Sequence, residues 1–324
     1  MTKLFIIATM AAAFATAYSH VVPSQIDTEA FIQSINEKAT TWTARKNFEG
    51  RTPEQLKALA DVIGINRDPN VTLPVVFHEA ISGIPDSFDA REQWPFCESI
   101  RTIRDEGACG SCWAFAAVEV MSDRLCLASE GRKKFIFSAE EVVSCCTACG
   151  GGCRGGFLNE PYKYWVTNGI PSGGDYGSKL GCKPYTAAVS GETPQCQKAC
   201  VSGYEKSWEK DLRHATSAYQ VNGGVLQIQR EILDNGPVTA YMEVYEDFYS
   251  YGTGIYQHTS GSFVGGHAVK IIGWGSENDV PYWIAANSWG TGFGEDGFFR
   301  ILRGSNCAGI ESYIVAGYPN TSEV

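Results

Sequence analysis

Positive charge is scarce in this chain: 26 Lys and Arg stand against 36 Asp and Glu, a formal net charge of −10, which argues against a polyphosphate partner such as nucleic acid. Long apolar runs are absent after the extreme N-terminus, so no later segment reaches the roughly 20 residues a bilayer span needs. With 44% hydrophobic and 19% charged residues, the composition excludes a disordered or collagen-like chain and fits an ordinary globular protein. Cysteine is missing from everything before about Gly83 and dense afterwards. That contrast marks a boundary.

At the start, Lys3 precedes an apolar run from Leu4 to Ala15, and Ala15-Thr16-Ala17 offers a small-residue cleavage site. This reads as a secretory signal peptide over residues 1–17, with a membrane anchor as the alternative, disfavoured by the run's length. Export gives the twelve cysteines a meaning, because in an oxidising compartment they pair, whereas in the cytosol the same clustering suggests metal. The negative charge suits an acidic compartment, where carboxylates begin to protonate and self-repulsion falls. The expected destination is the secretory pathway, ending in the lysosome or outside the cell. Residues 18–83 then form a mixed-charge stretch of helical pattern, with Phe31, Ile32, Ile35 and Trp42, and a second short helix opened by Pro53-Glu54-Gln55-Leu56. A separable leader that blocks a site is the expected role, and a permanently attached subdomain is the alternative. The body of the protein is residues 84–324. Asn70-Val71-Thr72 and Asn320-Thr321-Ser322 are glycosylation acceptor triplets.

Within the body, Cys112 to Arg124 reads as a helix, with Ala114, Ala117, Val118 and Met121 at three- and four-residue spacing. Cys112 sits at its mouth, where unpaired N–H groups and the helix dipole should draw the thiol pKa down from ~8.5 toward a reactive range. The stretch from Cys145 to Cys200 is rich in Gly, Pro and Cys and reads as loops. From about Ile255 the pattern turns to short β-type runs, including Ala268 to Trp274 and Tyr282 to Ala286. These flank a turn-rich Gly275 to Asp279. If the hairpin centres on Glu277, His267 and Asn287 lie opposite one another, and an Asn side-chain oxygen can orient the imidazole toward a thiol.

With Thr41-Trp42-Thr43-Ala44-Arg45-Lys46-Asn47-Phe48, Phe88 to Pro95, Cys109-Gly110-Ser111-Cys112-Trp113-Ala114-Phe115, Gly265-Gly266-His267-Ala268 and Asn287-Ser288-Trp289-Gly290, the chain resembles the papain family of cysteine proteases, and within it cathepsin B. The resemblance implies an α+β, two-domain fold: a helical left domain carrying the nucleophile, a β-barrel right domain carrying His and Asn, and a helical propeptide in front. It implies Cys112 as nucleophile, His267 as base and Asn287 as its orienter, with Gly155, Gly156 and Trp289 bordering the substrate. By similarity the disulfides join Cys97 with Cys126, Cys109 with Cys153, Cys145 with Cys196, Cys146 with Cys149, and Cys182 with Cys200, leaving Cys112 and Cys307 free. Protein and peptide substrates, the chain's own propeptide and cystatin-type inhibitors are the implied partners. No cofactor, metal or membrane is implied.

The chain departs from its relatives in several places, among them Arg154 in place of the usual Asn ahead of Gly155-Gly156 and a one-residue difference in spacing at Cys307-Ala308-Gly309. The oxyanion hole, formed by the Cys112 N–H and a glutamine amide in the family, has Glu106 instead, and an ionised carboxylate cannot donate. Between Cys182 and Cys196 there is no histidine and no internal cysteine pair, so the occluding loop that gives cathepsin B its dipeptide-removing action is cut short. At the second subsite Tyr313 follows Gly309-Ile310-Glu311-Ser312, which favours apolar side chains over Arg. The reading is therefore an acid-active endopeptidase made as a zymogen. Its alternatives are a silent, peptide-binding relative, suggested by Glu106, a thiol-disulfide oxidoreductase using Cys109 and Cys112, and a metal cluster at Cys145, Cys146, Cys149 and Cys153.

Overall fold

The computed structural model describes residues 26–79 and 82–323; the expected signal peptide lies outside them. The N-terminal segment contributes α1 (Glu29–Asn36), β1 (Trp42–Ala44), α2 (Pro53–Lys57), β2 (Val62–Gly64) and β3 (Val75–Val76). It is thus not purely helical, because three of its stretches are recruited as strands by the body they lie on. Its helices begin where local chemistry dictates. Thr28 accepts the Phe31 N–H at 3.4 Å, and Thr52 and Gln55 form a reciprocal capping box ahead of Pro53.

The body opens with β4 (Phe88–Asp89) and α3 (Ala90–Gln93), followed by α4 (Cys112–Ala128), α5 (Ala139–Cys145), β5 (Gly156–Phe157) and α6 (Glu160–Asn168). The expected all-loop region after Cys145 therefore contains a helix. Pro161 is tolerated in its first turn, and Tyr162 and Trp165 are buried at helical spacing. Every residue of α4 from Cys112 to Cys126 is buried, so it has no polar face and runs through the middle of the molecule.

The second half comprises α7 (Trp208–Asp211), β6 (Ala215–Val221), α8 (Val225–Asn235), β7 (Val238–Tyr245), β8 (Tyr251–Tyr256), β9 (Phe263–Glu277), β10 (Val280–Ala286), β11 (Phe298–Leu302) and β12 (Ile314–Pro319). The strands follow one path, β1-β8-β11-β10-β9-β7-β12-β6-β3. The expected β-barrel is therefore not closed. Both ends of the path are taken by N-terminal strands, β1 antiparallel to β8 and β3 parallel to β6, which cover the edges a closed barrel would have joined.

Two apolar cores result, one around α4 with α5 and α6, the other on the sheet. Five disulfides staple the body: Cys97–Cys126, Cys109–Cys153, Cys145–Cys196, Cys146–Cys149 and Cys182–Cys200. Cys109 is thus unavailable to Cys112, which removes the oxidoreductase alternative. Cys145, Cys146, Cys149 and Cys153 are all oxidised, which removes the thiolates a metal would need.

Trp42 is one anchor of the N-terminal segment. Its ring stacks on Tyr251 at 6.0 Å and meets the edge of Tyr256 at 5.2 Å, while its Nε1 donates to the Gln257 carbonyl at 2.9 Å. Trp42→Ala should cost about 3–5 kcal/mol of docking. Limited trypsin digestion of the full chain at neutral pH should then cut the segment before residue 83 much faster than in the parent; an equal rate would show that Trp42 is not an anchor.

Candidate active site

Cys112 is the first residue of α4 and has no disulfide partner. The Ser111 carbonyl accepts from Ala114 N at 2.8 Å and Phe115 N at 3.0 Å, starting the helix. The first N–H groups of the helix, those of Cys112 and Trp113, precede these bonds and have no intrahelical acceptor. Across the cleft, His267 Nε2 lies 2.8 Å from Asn287 Oδ1, which also accepts the Ser288 N–H at 2.8 Å. Two donors on one oxygen orient the amide, so Nε2 carries the proton and Nδ1 is the free acceptor of a neutral imidazole. His267 Nδ1 is buried without a hydrogen bond. The backbone N–H of Ala268, the next residue along β9, favours the charged form of the thiol, so the strand that carries the imidazole lies beside the sulfur.

His267 and Asn287 meet, but not by direct opposition across the hairpin. The turn is Asn278-Asp279, both at positive φ (51° and 64°), as a two-residue type I′ turn demands. Glu277 therefore pairs with Val280, and after an irregularity Ala286 pairs with Lys270. Asn287 lies just past the end of β10, where its own N–H bonds the Gly297 carbonyl at 3.0 Å, and its side chain returns along the sheet to reach the imidazole.

The N-terminal segment fills the groove between them. Val62 of β2 pairs in parallel with Gly156 on one wall and antiparallel with Gly266 on the other, and Gly156 N donates to the Asp61 carbonyl at 3.2 Å. The approach is too close for side chains. A Cβ on Gly155 would lie 2.2 Å from the Asp61 carbonyl, and one on Gly265 would lie 2.3 Å from the Ala60 carbonyl. Burial acts against the ion pair expected of these two groups. Burial first, and Glu106 second, push the Cys112 thiol well above its ordinary range, outweighing the N–H groups of Ala268 and Asp61. Burial also lowers His267 to about 4, against the raising effect of Asn287 and the Leu59 carbonyl. Burial thus disfavours the charged form of each partner.

Glu106 is fully buried beside them. Its Oε2 accepts the Ser111 N–H at 2.7 Å, and its Oε1 accepts the Trp289 indole N–H at 2.9 Å and faces the Ser288 hydroxyl at 3.3 Å. Burial raises its pKa well above the usual carboxylate value despite these donors. Trp289 stacks on Tyr249 at 5.3 Å and lies 4.7 Å from the His267 ring, shielding the His267–Asn287 bond from water. Tyr313 is 40% exposed and meets Tyr241 edge to face at 6.4 Å. Glu311, by contrast, is a loop clamp, taking N–H groups from Trp283 at 2.9 Å, Gly304 at 2.6 Å and Asn306 at 3.1 Å.

Tyr241 was not among the residues singled out from sequence. It sits on β7 opposite Ala268, and the β-type alternation of residues 238–245 was the available signal. Asp61 was missed as well, having no motif around it. Burial raises it to about 6.

A thiol at a helix mouth, an imidazole–amide pair on the facing sheet and a segment of the same chain lying between them define a thiol hydrolase held under its own leader. Residues 84–318 match the family described as Papain family cysteine protease, and residues 28–60 match the Peptidase family C1 propeptide. The chain belongs to the papain family. It is 44% identical to cathepsin B-like cysteine proteinase 5 of Caenorhabditis elegans over 99% of this chain and 98% of that one. To cathepsin B-like cysteine proteinase 6 of the same organism it is 43% identical, over 93% and 86% respectively. The solved structure of proCathepsin B S9 from Trypanosoma congolense superposes with a TM-score of 0.81 at 36% identity, covering 91% of this chain and 98% of the other. The protein is a cathepsin B-like cysteine protease made with a propeptide, and its partners include peptide substrate and that propeptide.

Because the raised thiol pKa comes chiefly from burial, the intact proprotein should react slowly with iodoacetamide at Cys112 at neutral pH. Each unit by which the thiol pKa falls on propeptide removal raises the thiolate fraction about tenfold, and alkylation should accelerate accordingly. Mass-spectrometric alkylation rates before and after removal check this; no acceleration would mean that the propeptide does not set the thiol's charge.

Proposed function

We propose that the mature protein is a cysteine endopeptidase, with Cys112 attacking the scissile carbonyl, His267 taking and returning the proton through Nδ1, and Asn287 holding the ring. The observation that carries this reading is the 2.8 Å bond from His267 Nε2 to Asn287 Oδ1, on a strand that lies beside the unpaired thiol. The Cys112 N–H and Glu106 line the oxyanion position. Gly155, Gly156 and Trp289 border the substrate, in the groove that β2 now fills. The signal peptide over 1–17, the propeptide over 18–83 and the peptidase over 84–324 are the proposed divisions. Five disulfides favour an oxidising compartment, lysosomal or extracellular. The groove that accepts the propeptide also suits cystatin-type inhibitors.

Glu106 makes the activity acid-dependent. Its raised pKa means the neutral acid persists in the folded protein at pH values where an exposed carboxylate would be ionised. Once protonated, Glu106 supplies the missing oxyanion donor by releasing one of the N–H groups its oxygens now accept, that of Ser111 or that of the Trp289 indole. As pH rises through that raised pKa the donor is lost and a repelling charge appears. Glu106→Gln should therefore raise the neutral-pH rate by about 10²–10³ and change the acid rate little. A pH–kcat/KM profile of the two enzymes tests this, and unchanged activity at neutral pH would refute it. The doubly bonded carboxylate also favours a second reading, a protein weakened enough to act by binding. Labelling by a vinyl sulfone without turnover at any pH would select it.

The short Lys183 to Gln195 segment leaves the far end of the cleft without a carboxylate-binding histidine. Tyr241 and Tyr313 make a neutral aromatic wall at the second subsite, where burial of an unpaired Arg is costly. Internal bonds of a denatured protein should be cut, with apolar residues ahead of Arg at the second position from the scissile bond and no stepwise loss of C-terminal dipeptides. Product mass spectrometry decides this; efficient dipeptide release would overturn the endopeptidase assignment.

A further inference from the structure

The leader makes a second contact with the body, away from the cleft. After crossing the groove as β2 it continues over residues 73–78 along the outer edge of the sheet, at β6, which lies three strands from the β9 that carries His267. Val75 and Val76 pair in parallel with Gln220 and Val221. The Gln220 N–H donates to the Pro74 carbonyl at 2.8 Å, and the Asn222 N–H donates to the Val76 carbonyl at 2.9 Å. These bonds hold an extended backbone without reading its side chains.

Side chains are read at the two ends of the segment. Leu73 is 6% exposed and joins the apolar cluster around α4 and α6, whereas Val75 and Phe77 are 60% and 61% exposed. At the far end α8 takes over from the strand. Gln227 accepts the His78 N–H on Oε1 at 2.7 Å and donates from Nε2 to the His78 carbonyl at 2.9 Å, as a neighbouring strand does when it bonds both groups of one residue. One turn further along α8, Glu231 Oε2 meets the His78 imidazole at 2.7 Å. The other oxygen of Glu231 is committed within the body, to Arg124 at 2.8 Å and to the Tyr219 hydroxyl at 2.7 Å. Oε2 is the oxygen left to the leader.

Removal of residues up to 83 strips this edge. The Gln220 and Asn222 N–H groups lose their acceptors, Gln227 loses both of its side-chain bonds, and Glu231 Oε2 loses its donor, all along one line. An open strand edge is a template for another extended chain, and an incoming donor recovers the cost of an acceptor left unpaired. We propose that in the processed enzyme this edge is an exosite for an extended segment of a protein substrate, with an apolar side chain at the Leu73 position and, five residues on, a histidine, lysine or arginine that donates to Glu231 Oε2. The proposal rests on the peptidase reading and on removal of the leader.

The same chemistry fixes what the edge refuses. A carboxylate in place of His78 would meet Glu231 oxygen to oxygen, and a proline there would lack the N–H that Gln227 accepts. A second copy of the chain is a poor occupant, because its own edge strand, Ala215–Val221, holds no Lys, Arg or His to offer Glu231. The positions of Val75 and Phe77 face away from the body and tolerate most side chains.

The probe is a synthetic peptide of residues 71–79 with blocked ends, titrated calorimetrically into the processed enzyme after its cleft has been sealed at Cys112 with a vinyl sulfone. Intact mass reports beforehand whether the leader has gone and whether the thiol is labelled. An unprocessed or unlabelled chain marks a failure of the peptidase reading, whereas absence of binding to a processed, labelled enzyme marks a failure of the exosite. One saturable site is expected. Its affinity should fall about tenfold or more for peptides carrying His78→Glu or Leu73→Ala, and stay within about threefold for His78→Lys. Gln227→Ala in the enzyme should weaken binding about tenfold, through the two bonds it removes. With unsealed enzyme, saturating peptide should slow digestion of a denatured protein bearing such a segment and leave hydrolysis of a tripeptide unchanged. An enzyme that retains residues 73–78, no saturable binding, binding indifferent to these changes, tripeptide hydrolysis blocked by the peptide, or protein digestion untouched by it would each overturn the inference.

Discussion

The burial of α4 on all sides is the constraint from which the rest follows. A helix with no solvent face can be apolar throughout only where it meets apolar neighbours, and this one carries Glu119, Asp123 and Arg124 along its length. Each must find a partner from another part of the chain. Asp123 and Glu119 share Lys270 of β9, at 3.0 and 3.5 Å, and Arg124 pairs with Glu231 of α8 at 2.8 Å. Removing one member of such a pair strands a charge, typically at a cost of about 3–5 kcal/mol. The helix that bears the sulfur is thereby locked to the sheet that bears the imidazole, and Lys270 follows His267 by three residues on that strand. The buried charges register the two halves of the site.

The N-terminal segment uses the same molecule as a template. It supplies an edge strand at each end of the sheet path and a third in the groove, so the backbone polar groups of these strands are satisfied by the body. Its helices are too short to stand alone in water. Further along, beyond β3, His78 Nε2 reaches Glu231 at 2.7 Å and the His78 backbone exchanges hydrogen bonds with Gln227 at 2.7 and 2.9 Å. The segment is thus fastened to the sheet-bearing half both before and after β2, and the stretch over the sulfur is held by its flanks.

Much of this was readable from residues. The helix starting at Cys112 followed from its three- and four-residue apolar spacing, and the pairing of His267 with Asn287 followed from two β-type runs around a turn. The count that joined them assumed a turn centred on Glu277, whereas the real turn is Asn278-Asp279 with an irregularity after Ile284. Two register differences are absorbed because Asn287 lies outside the ladder and its side chain is long enough to return. Tyr241 escaped because strand character was first recognised near Ile255, although β6 and β7 precede it. The strands of the leader were not readable at all. Two or three residues such as Val75–Val76 carry no periodicity, and they become strands only because an edge is waiting for them.

The depressed thiol pKa expected at a helix mouth was wrong for this form for a reason that illuminates latency. A helix N-terminus favours an anion by a fraction of a kcal/mol to about 2 kcal/mol, while withdrawing a thiolate from water costs several times more. When β2 covers the groove, desolvation exceeds the dipole, and Glu106 beneath the sulfur adds a second opposing influence. The same cover drives the imidazole toward its neutral form, so the ion pair that acyl transfer needs is disfavoured at both partners at once. Steric blockage alone would leave a reactive sulfur waiting behind a loose strand. Here the strand that excludes substrate also excludes the water that would stabilise the charges, so displacing it restores access and reactivity together.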